Sequence, residues 1–336
     1  LSLSLSLFLF LISTHSHKSV EPFIIIRYLN AQKKTAVYLN THKHFTFFPK
    51  VNNMHSKIQE IRARFEAELQ TNSSTVHQSF HPVDIERVRG EDWQVERYLL
   101  EANGNVDVAY SALLRTLTWK ASFGGVHTST EADFPSEFYH LYGVEKLNGG
   151  GDCSDLYGRP IFMESFKRQR RFAQLETAFQ RLVAVSMETM DRITFGTGGN
   201  DEKEGMCYLG DFTGTPLTSL DVSLAKFRVE LLNDHYPLLA RRIILHNVPY
   251  LLKPVLKMII ATCLRPSIRQ AVVFTSSTEQ LQEYISLEVL PVELGGRRAK
   301  RSYPQGTVPL RKCYERFGLK EDFVEYYLKC NNDVKQ

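Results

Sequence analysis

The chain has 336 residues, 43% of them hydrophobic and 11% aromatic, enough to bury a core in one large domain or two ordinary ones. Its formal charge of +4 is unevenly held: residues 1–53 carry six Lys/Arg against Glu21 alone, which leaves the remainder close to neutral. A nucleic-acid-binding domain spreads an excess of Lys and Arg over a folded face, so this balance argues against a nucleic-acid partner.

Leu1 to Ile12 is a Leu/Ser/Phe run with the length of a signal-peptide core, too short for the ~20 residues of a transmembrane helix. No basic residue precedes it and the first methionine is Met54, so residues 1–53 read as an upstream or leader segment. Apolar residues at Ile58, Ile61, Phe65 and Leu69 then predict a helix over Ser56–Leu69, followed by a short one over Pro82–Val88. Asp92–Ala102 reads as a third helix that stops at Asn103-Gly104. Asn105 caps a longer fourth, with Val106, Ala109, Tyr110, Leu113, Leu114 and Leu117 as its inner stripe. Phe123-Gly124-Gly125 closes this helical subdomain, 54–125.

From Ala132 the pattern changes to strands alternating with helices. Strands are expected at Val144–Leu147, Pro160–Ser165, Met206–Phe212, Ile243–Asn247 and Ala271–Phe274. The helices between and after them are expected at Gln174–Arg192, Leu220–Tyr236, Pro249–Cys263 and Glu279–Tyr284. Helix-length crossovers imply parallel pairing with right-handed connections, hence an α/β domain over 132–297. Gly149-Gly150-Gly151-Asp152 and the stretch from Phe195 to Gly205 read as loops. The tail, 298–336, has a basic cluster, a Pro/Gly-containing linker and a helix near Lys320–Lys329.

Catalytic signatures are missing: there is no GxxxxGK[ST], no GxGxxG after a strand, no HExxH and no GxSxG. His246, ending an apolar strand, reads as a hydrogen-bonded core histidine. Asp211 ends another strand, where α/β enzymes place carboxylates, but with no nucleophile or base nearby it reads as a loop pin. The five cysteines, Cys153, Cys207, Cys263, Cys313 and Cys330, form neither a CxxC pair nor a Cys/His cluster. They read as free thiols in a reducing, cytoplasmic setting, with no metal site. No enzyme activity and no cofactor are expected.

The segment from Pro249 to Leu264, PYLLKPVLKMIIATCL, is apolar around most of its circumference. Only Lys253 and Lys257 interrupt it, four residues apart and so on one side. Such a helix is either buried in a core, or covers a cavity on one side while meeting a membrane on the other, its lysines snorkelling to headgroups. Periodicity leaves both readings open.

The order of segments resembles the CRAL-TRIO family over roughly Ser56 to Gly296. The resemblance is carried by DWQVERYLLEANGNVDVAYSALLRTLTWK, DLYGRPIFMES, YLGDFTG, HYPLLARRIILHNVP and YISLEVLPVELGG, in that order and with fitting gaps. It implies a CRAL-TRIO fold: a mixed, mostly parallel sheet flooring a lipid cavity, helical walls and a gate, preceded by a small all-helical subdomain. The cavity would hold one hydrophobic lipid-like ligand, whether a phospholipid, a tocopherol-like or a retinoid-like molecule. Matched to the family's motifs, the pocket side is Met206, Tyr208 and Gly210 on one strand and Ile243 and Leu245 on the next. On the gate it is Leu252, Leu256, Ile259 and Cys263.

The departures from the family pattern concern headgroups. Members that bind phosphatidylinositol place a Glu after the Tyr-Pro before the fourth strand and a Lys just before the fifth; here stand Leu238, and Gln270 beside Arg269. The small hydroxylated residues of the family's phosphatidylcholine site are replaced at Met206 and Tyr208. Lys167, Arg168, Arg170 and Arg171 directly follow the second strand, and with Lys253 and Lys257 they are expected to face an anionic membrane surface at the cavity mouth. The function implied is lipid binding and transfer, peripheral on intracellular membranes. The competing expectation is an interaction module that senses membranes or recruits partners without net transfer.

Overall fold

A computed structural model describes residues 51–71, 80–124, 126–142, 145–147, 154–167, 169–195, 205–216, 221–298 and 306–332. Residues 1–50 of the expected leader, the Gly149–Asp152 loop, Cys153, Arg168, most of the 195–205 loop and the tail residues 299–305 lie outside the described residues.

The chain opens with four helices, α1 (Met54–Thr71), α2 (Pro82–Gly90), α3 (Asp92–Glu101) and α4 (Val106–Phe123). The predicted stripe of α1, Ile58, Ile61, Phe65 and Leu69, is buried, and it meets Val95 and Leu99 of α3 and Ala109, Leu113 and Leu117 of α4. Each boundary has a local cause. Asn103 and Gly104 take positive φ values of 51° and 78°, ending α3, and the Asn105 side chain accepts a hydrogen bond from Val108 N at 3.1 Å, starting α4. Gly104 is required for space as well, because a Cβ there would stand 2.8 Å from Val51 Cγ1.

A five-stranded sheet follows in the order β1-β2-β3-β4-β5: Glu145–Leu147, Ile161–Ser165, Met206–Asp211, Ala240–His246 and Val272–Thr275. β1 is antiparallel to β2 and the remaining neighbours are parallel. All the expected strands are present, but β4 begins three residues earlier, at Ala240 rather than Ile243. Arg241 and Arg242 mask its start in the sequence, yet Arg242 is buried, with its guanidinium 5.1 Å from the centre of the Tyr284 ring.

α5 (Ser136–Tyr142) precedes β1, and between the strands run α6 (Glu176–Phe195), α7 (Val222–Glu230), α8 (Lys253–Cys263) and α9 (Pro266–Ala271). α10 (Thr278–Gln282) and α11 (Glu321–Asn332) come after β5. α5 and α9 have no counterpart in the sequence reading. The helix expected over Leu220–Tyr236 ends instead in a π turn, Leu231–His235. The one expected over Pro249–Cys263 starts only at Lys253, since Pro254 lacks an N–H and fits the first turn but not the interior.

One sheet face is sealed. Ile161, Met163, Cys207, Leu209 and Ile244 pack against Leu281, Ile285, Val289, Leu290 and Leu294. Gly296 allows the closing turn to approach, because a Cβ there would sit 2.0 Å from Leu290 O.

The helical subdomain is joined to α6 by a buried ionic network. Lys120 Nζ of α4 lies 2.7 Å from Glu188 and 3.7 Å from Asp84, while Arg87 reaches both Glu188 and Asp191 at 3.4 Å. Arg97 pairs with Asp191, and Tyr236 donates to Glu188 at 3.1 Å. His127 closes the set: Arg192 lies 3.0 Å from Nδ1, and Nε2 pairs with Asp84 at 2.7 Å. Burial alone pushes the Glu188 carboxyl upward, but Lys120, Arg87 and His127 outweigh it and hold it well below the usual range. Asp84 is likewise lowered, burial being outweighed by Lys120 and His127.

Removing one member of such a pair leaves a buried charge uncompensated. Lys120→Met is therefore expected to lower unfolding free energy by about 3–5 kcal/mol in urea titration. Because both carboxyls are depressed in the folded state, their contribution is complete above about pH 5, begins to fall near about pH 4 where the unfolded chain binds protons first, and is fully lost only once the folded carboxyls themselves protonate at lower pH. Glu188→Gln should flatten that acid limb of the stability curve.

Candidate functional site

The second sheet face is built by strand alternation. Phe162 and Glu164 of β2 lie opposite Tyr208 and Gly210 of β3, which lie opposite Ile243 and Leu245 of β4; Val272 and Phe274 of β5 continue the row. Met206 shares this face by alternation with Tyr208. The five strand residues expected to line a cavity thus stand together on one face. Gly210 leaves room that its neighbours fill: a Cβ there would stand 3.1 Å from the Tyr208 ring, 3.2 Å from that of Phe166 and 3.4 Å from Leu245.

This face is not uniformly apolar. Glu164 is buried in it, accepting hydrogen bonds from Tyr208 Oη at 2.7 Å and Gln169 Nε2 at 2.8 Å, and pairing with Arg228 of α7. Burial, with Glu164 beside it, pushes the Tyr208 phenol well above its usual range, so it stays protonated and donates. The sequence reading placed Tyr208 on this face but missed Glu164, whose charge partner, Arg228, comes from a distant helix.

Over the same face lies α8. The ammoniums of Lys253 and Lys257 stand 5.5 and 5.8 Å from the centre of the Phe274 ring. Lys253 is half-buried and Lys257 exposed, so the ring contact leaves both within reach of solvent. α8 is strongly apolar, yet none of its 11 residues is buried. Leu252, Leu256 and Ile259 are half-exposed on its flank. Cys263, expected beside them, is exposed, because it is the last residue of α8, where the chain leaves the helix through Leu264 toward Pro266.

The rim of this face is formed where β2, β3 and β4 end. The Lys167 stem passes the Gly214 position, and Asn247 donates to Thr213 Oγ1 at 3.0 Å, so the three loops meet. Lys167, Arg170 and Arg171 are exposed here, Arg171 facing Glu176 at 3.7 Å. In the loop that follows β4, Tyr250 and Leu251 are 87% and 67% exposed, which the sequence reading missed by folding them into the helix.

Other polar groups are structural. Asp211 accepts from Thr213 N at 2.9 Å and pins its loop, and buried His246 pairs with Thr275 Oγ1 at 2.9 Å, both as expected. Burial lowers the pKa of His246, keeping the ring neutral. Leu238, at the position where phosphatidylinositol binders carry Glu, has φ 61°, Gln270 is exposed, and Arg269 is spent on Ala261 O at 2.9 Å. An open hollow of about 610 Å³ between α3, α4 and α9 is rimmed by groups that pair with one another, Arg265 with Asp234 at 3.2 Å and with Glu101 at 3.8 Å. Among the described residues no His/Cys/Asp/Glu group could hold a metal, and Cys207, Cys263, Cys313 and Cys330 are free.

Comparison with known proteins agrees with this geometry. The crystal structure of Sfh5 superimposes with a TM-score of 0.56 at 14% identity, covering 79% of this chain and 93% of Sfh5. The CRAL-TRIO domain-containing protein C3H8.02 of Schizosaccharomyces pombe is 24% identical over 214 residues, 62% of this chain and 46% of that protein. The phosphatidylinositol transfer protein CSR1 of Eremothecium gossypii is 30% identical over 89 residues, 26% of this chain and 20% of that protein. The chain therefore spans less than half the length of these curated relatives. The CRAL/TRIO domain family matches residues 151–296, the stretch that supplies β2 to β5, both sheet faces and α8. Through those residues, the chain resembles the CRAL/TRIO domain family.

Proposed function

We propose that this chain binds one hydrophobic lipid-like molecule between its second sheet face and α8, and carries or presents it at membranes. The observation that carries the reading is α8: an 11-residue, largely apolar helix lying over a largely apolar sheet face with none of its residues fully buried. A helix that belonged to an ordinary core would have buried its stripe, so its apolar surface is free to be covered by something else. An acyl chain of ~18 carbons costs on the order of 14 kcal/mol to expose to water, and covering it between two such surfaces removes that cost without any catalytic group. The phosphatidylinositol transfer activity in the name of CSR1 supports the same direction. The opening SKIQEIRARFEAELQ and the closing VVFTSSTEQLQEYISLEVLPVELGG further resemble the CRAL-TRIO portion of motile sperm domain-containing protein two, and only that portion is compared.

The rim supplies the contact with the bilayer. Lys167, Arg170 and Arg171 offer about 1 kcal/mol each near an anionic surface, and Tyr250 and Leu251 are exposed enough to enter the interface. Among the described residues no helix is long and apolar enough to cross a membrane. In this reading the protein works as a peripheral, cytoplasmic carrier.

Two outcomes test the reading. Native mass spectrometry of the freshly purified protein should show stoichiometric lipid, and Leu245→Arg should lose it while keeping the far-UV circular dichroism of the parent, since a charge in an apolar enclosure is costly unless paired. An empty parent protein would favour an interaction module instead. Separately, Arg170→Gln with Arg171→Gln should weaken flotation with anionic vesicles by roughly thirtyfold, following the per-charge energy above. Tyr250→Ser with Leu251→Ser should weaken it also on neutral vesicles, and added salt should mimic only the arginine pair.

A further inference from the structure

The two lysines of α8 are placed where a lipid carrier has no structural need for them. Lys253 and Lys257 are one helical turn apart, and both ammoniums converge on the Phe274 ring. Phe274 pairs with Leu245 in the sheet register, so the ring belongs to the face on which the ligand is proposed to lie. Among the described residues neither lysine has a carboxylate partner. The contrast with nearby cations is plain: Arg228 is paired with Glu164, and Arg171 faces Glu176.

A ring attracts a cation weakly, by roughly 0.5–1 kcal/mol at an exposed site, and does nothing to relieve the repulsion between two of them. A single anion set between the ammoniums relieves it for both. Leu252, Leu256 and Ile259 lie on the adjoining flank of the same helix, half-exposed, so an anionic head held by the lysines would have its hydrocarbon laid along them. Resting on the lipid-carrying reading above, we infer that Lys253 and Lys257 form a phosphate site for the bound lipid, and that the cargo is a phospholipid rather than a neutral lipid such as a tocopherol or a retinoid.

The test compares two lipids that differ only in the phosphate. The purified protein is offered vesicles of digalactosyldiacylglycerol, which contain no phosphate, doped with either phosphatidic acid or diacylglycerol of identical acyl chains. Salt is kept high enough to suppress bilayer attachment, and protein-bound lipid is counted after the vesicles are removed. Phosphatidic acid is expected to exceed diacylglycerol by about tenfold. K253Q with K257Q should bring that ratio near one while diacylglycerol loading stays unchanged, and K253R with K257R, which keeps both charges, should preserve it. Equal loading by the parent chain, or a ratio that survives in the glutamine variant, overturns the phosphate site and leaves the carrier reading standing. Loading of neither lipid overturns both. If the lysines serve the bilayer instead, the glutamine variant loses attachment to anionic vesicles at low salt without a change in the loading ratio, which also overturns the proposal. Displacement of phosphatidic acid by millimolar inorganic phosphate would identify free phosphate as the ligand, and would overturn it too.

Discussion

In this sheet the parallel strands lie side by side in the order in which they occur in the chain. Right-handed crossovers between strands that always step in the same direction must all return over the same face. The contacts agree: Arg228 of α7 meets Glu164, and Lys253 and Lys257 of α8 meet Phe274, all on the face that carries Tyr208 and Leu245. Doubly wound sheets reverse their strand order and so share their helices between two faces, whereas here one face receives every crossover. The opposite face, with Cys207, Leu209 and Ile244, has to be covered by chain that follows β5, and Leu281 to Leu294 covers it. The asymmetry of the domain, one sealed face and one walled by helices, is thus set by strand order before any particular side chain is considered.

Given that asymmetry, the walls need a fixed foundation. The ionic network supplies one by tying α6 to α2, α3 and α4 through Arg87, Arg97, Lys120, Glu188 and Asp191. Apolar packing of the same volume would be about as stable, but it tolerates sliding between helices. Hydrogen-bonded charges fix one register. Tyr236, which donates to Glu188, stands at the end of the π turn that leads into β4, so the anchor reaches the strand that carries Ile243 and Leu245. α8, by contrast, has no fully buried residue.

Much of this was legible in the sequence. The strands were visible because short apolar runs bounded by turn residues alternate with helical stripes; a period of two groups Met206 with Tyr208 and Gly210, and Ile243 with Leu245, while joining the two sets on one face rested on the family resemblance. The limits have physical causes. Arg97 and Lys120 look like solvent-facing cations of amphipathic helices, and Asp191, the partner of Arg97, lies 94 residues away in the chain. Glu164 hides in the same manner, since Arg228 is 64 residues distant. Periodicity placed Lys253 and Lys257 on one side of their helix, but the direction of that side depends on where the helix is docked. Tyr250 and Leu251 were misplaced because Pro249 and Pro254 can each open a helix, and only the second does.

The covering of the sealed face by residues 281–294 also has a meaning for the protein's birth on the ribosome. Strands added in chain order let the sheet grow at one edge as it is synthesised, with each crossover laid down before the next strand arrives. The lid over Ile161, Cys207, Leu209 and Ile244 comes last. Until Leu294 has emerged, a nascent chain with its helices already folded carries a bare apolar sheet on its other side, a surface suited to capture by chaperones or by another unfinished copy. The short stretch from Thr278 to Gly296 is thus what takes that apolar face out of water.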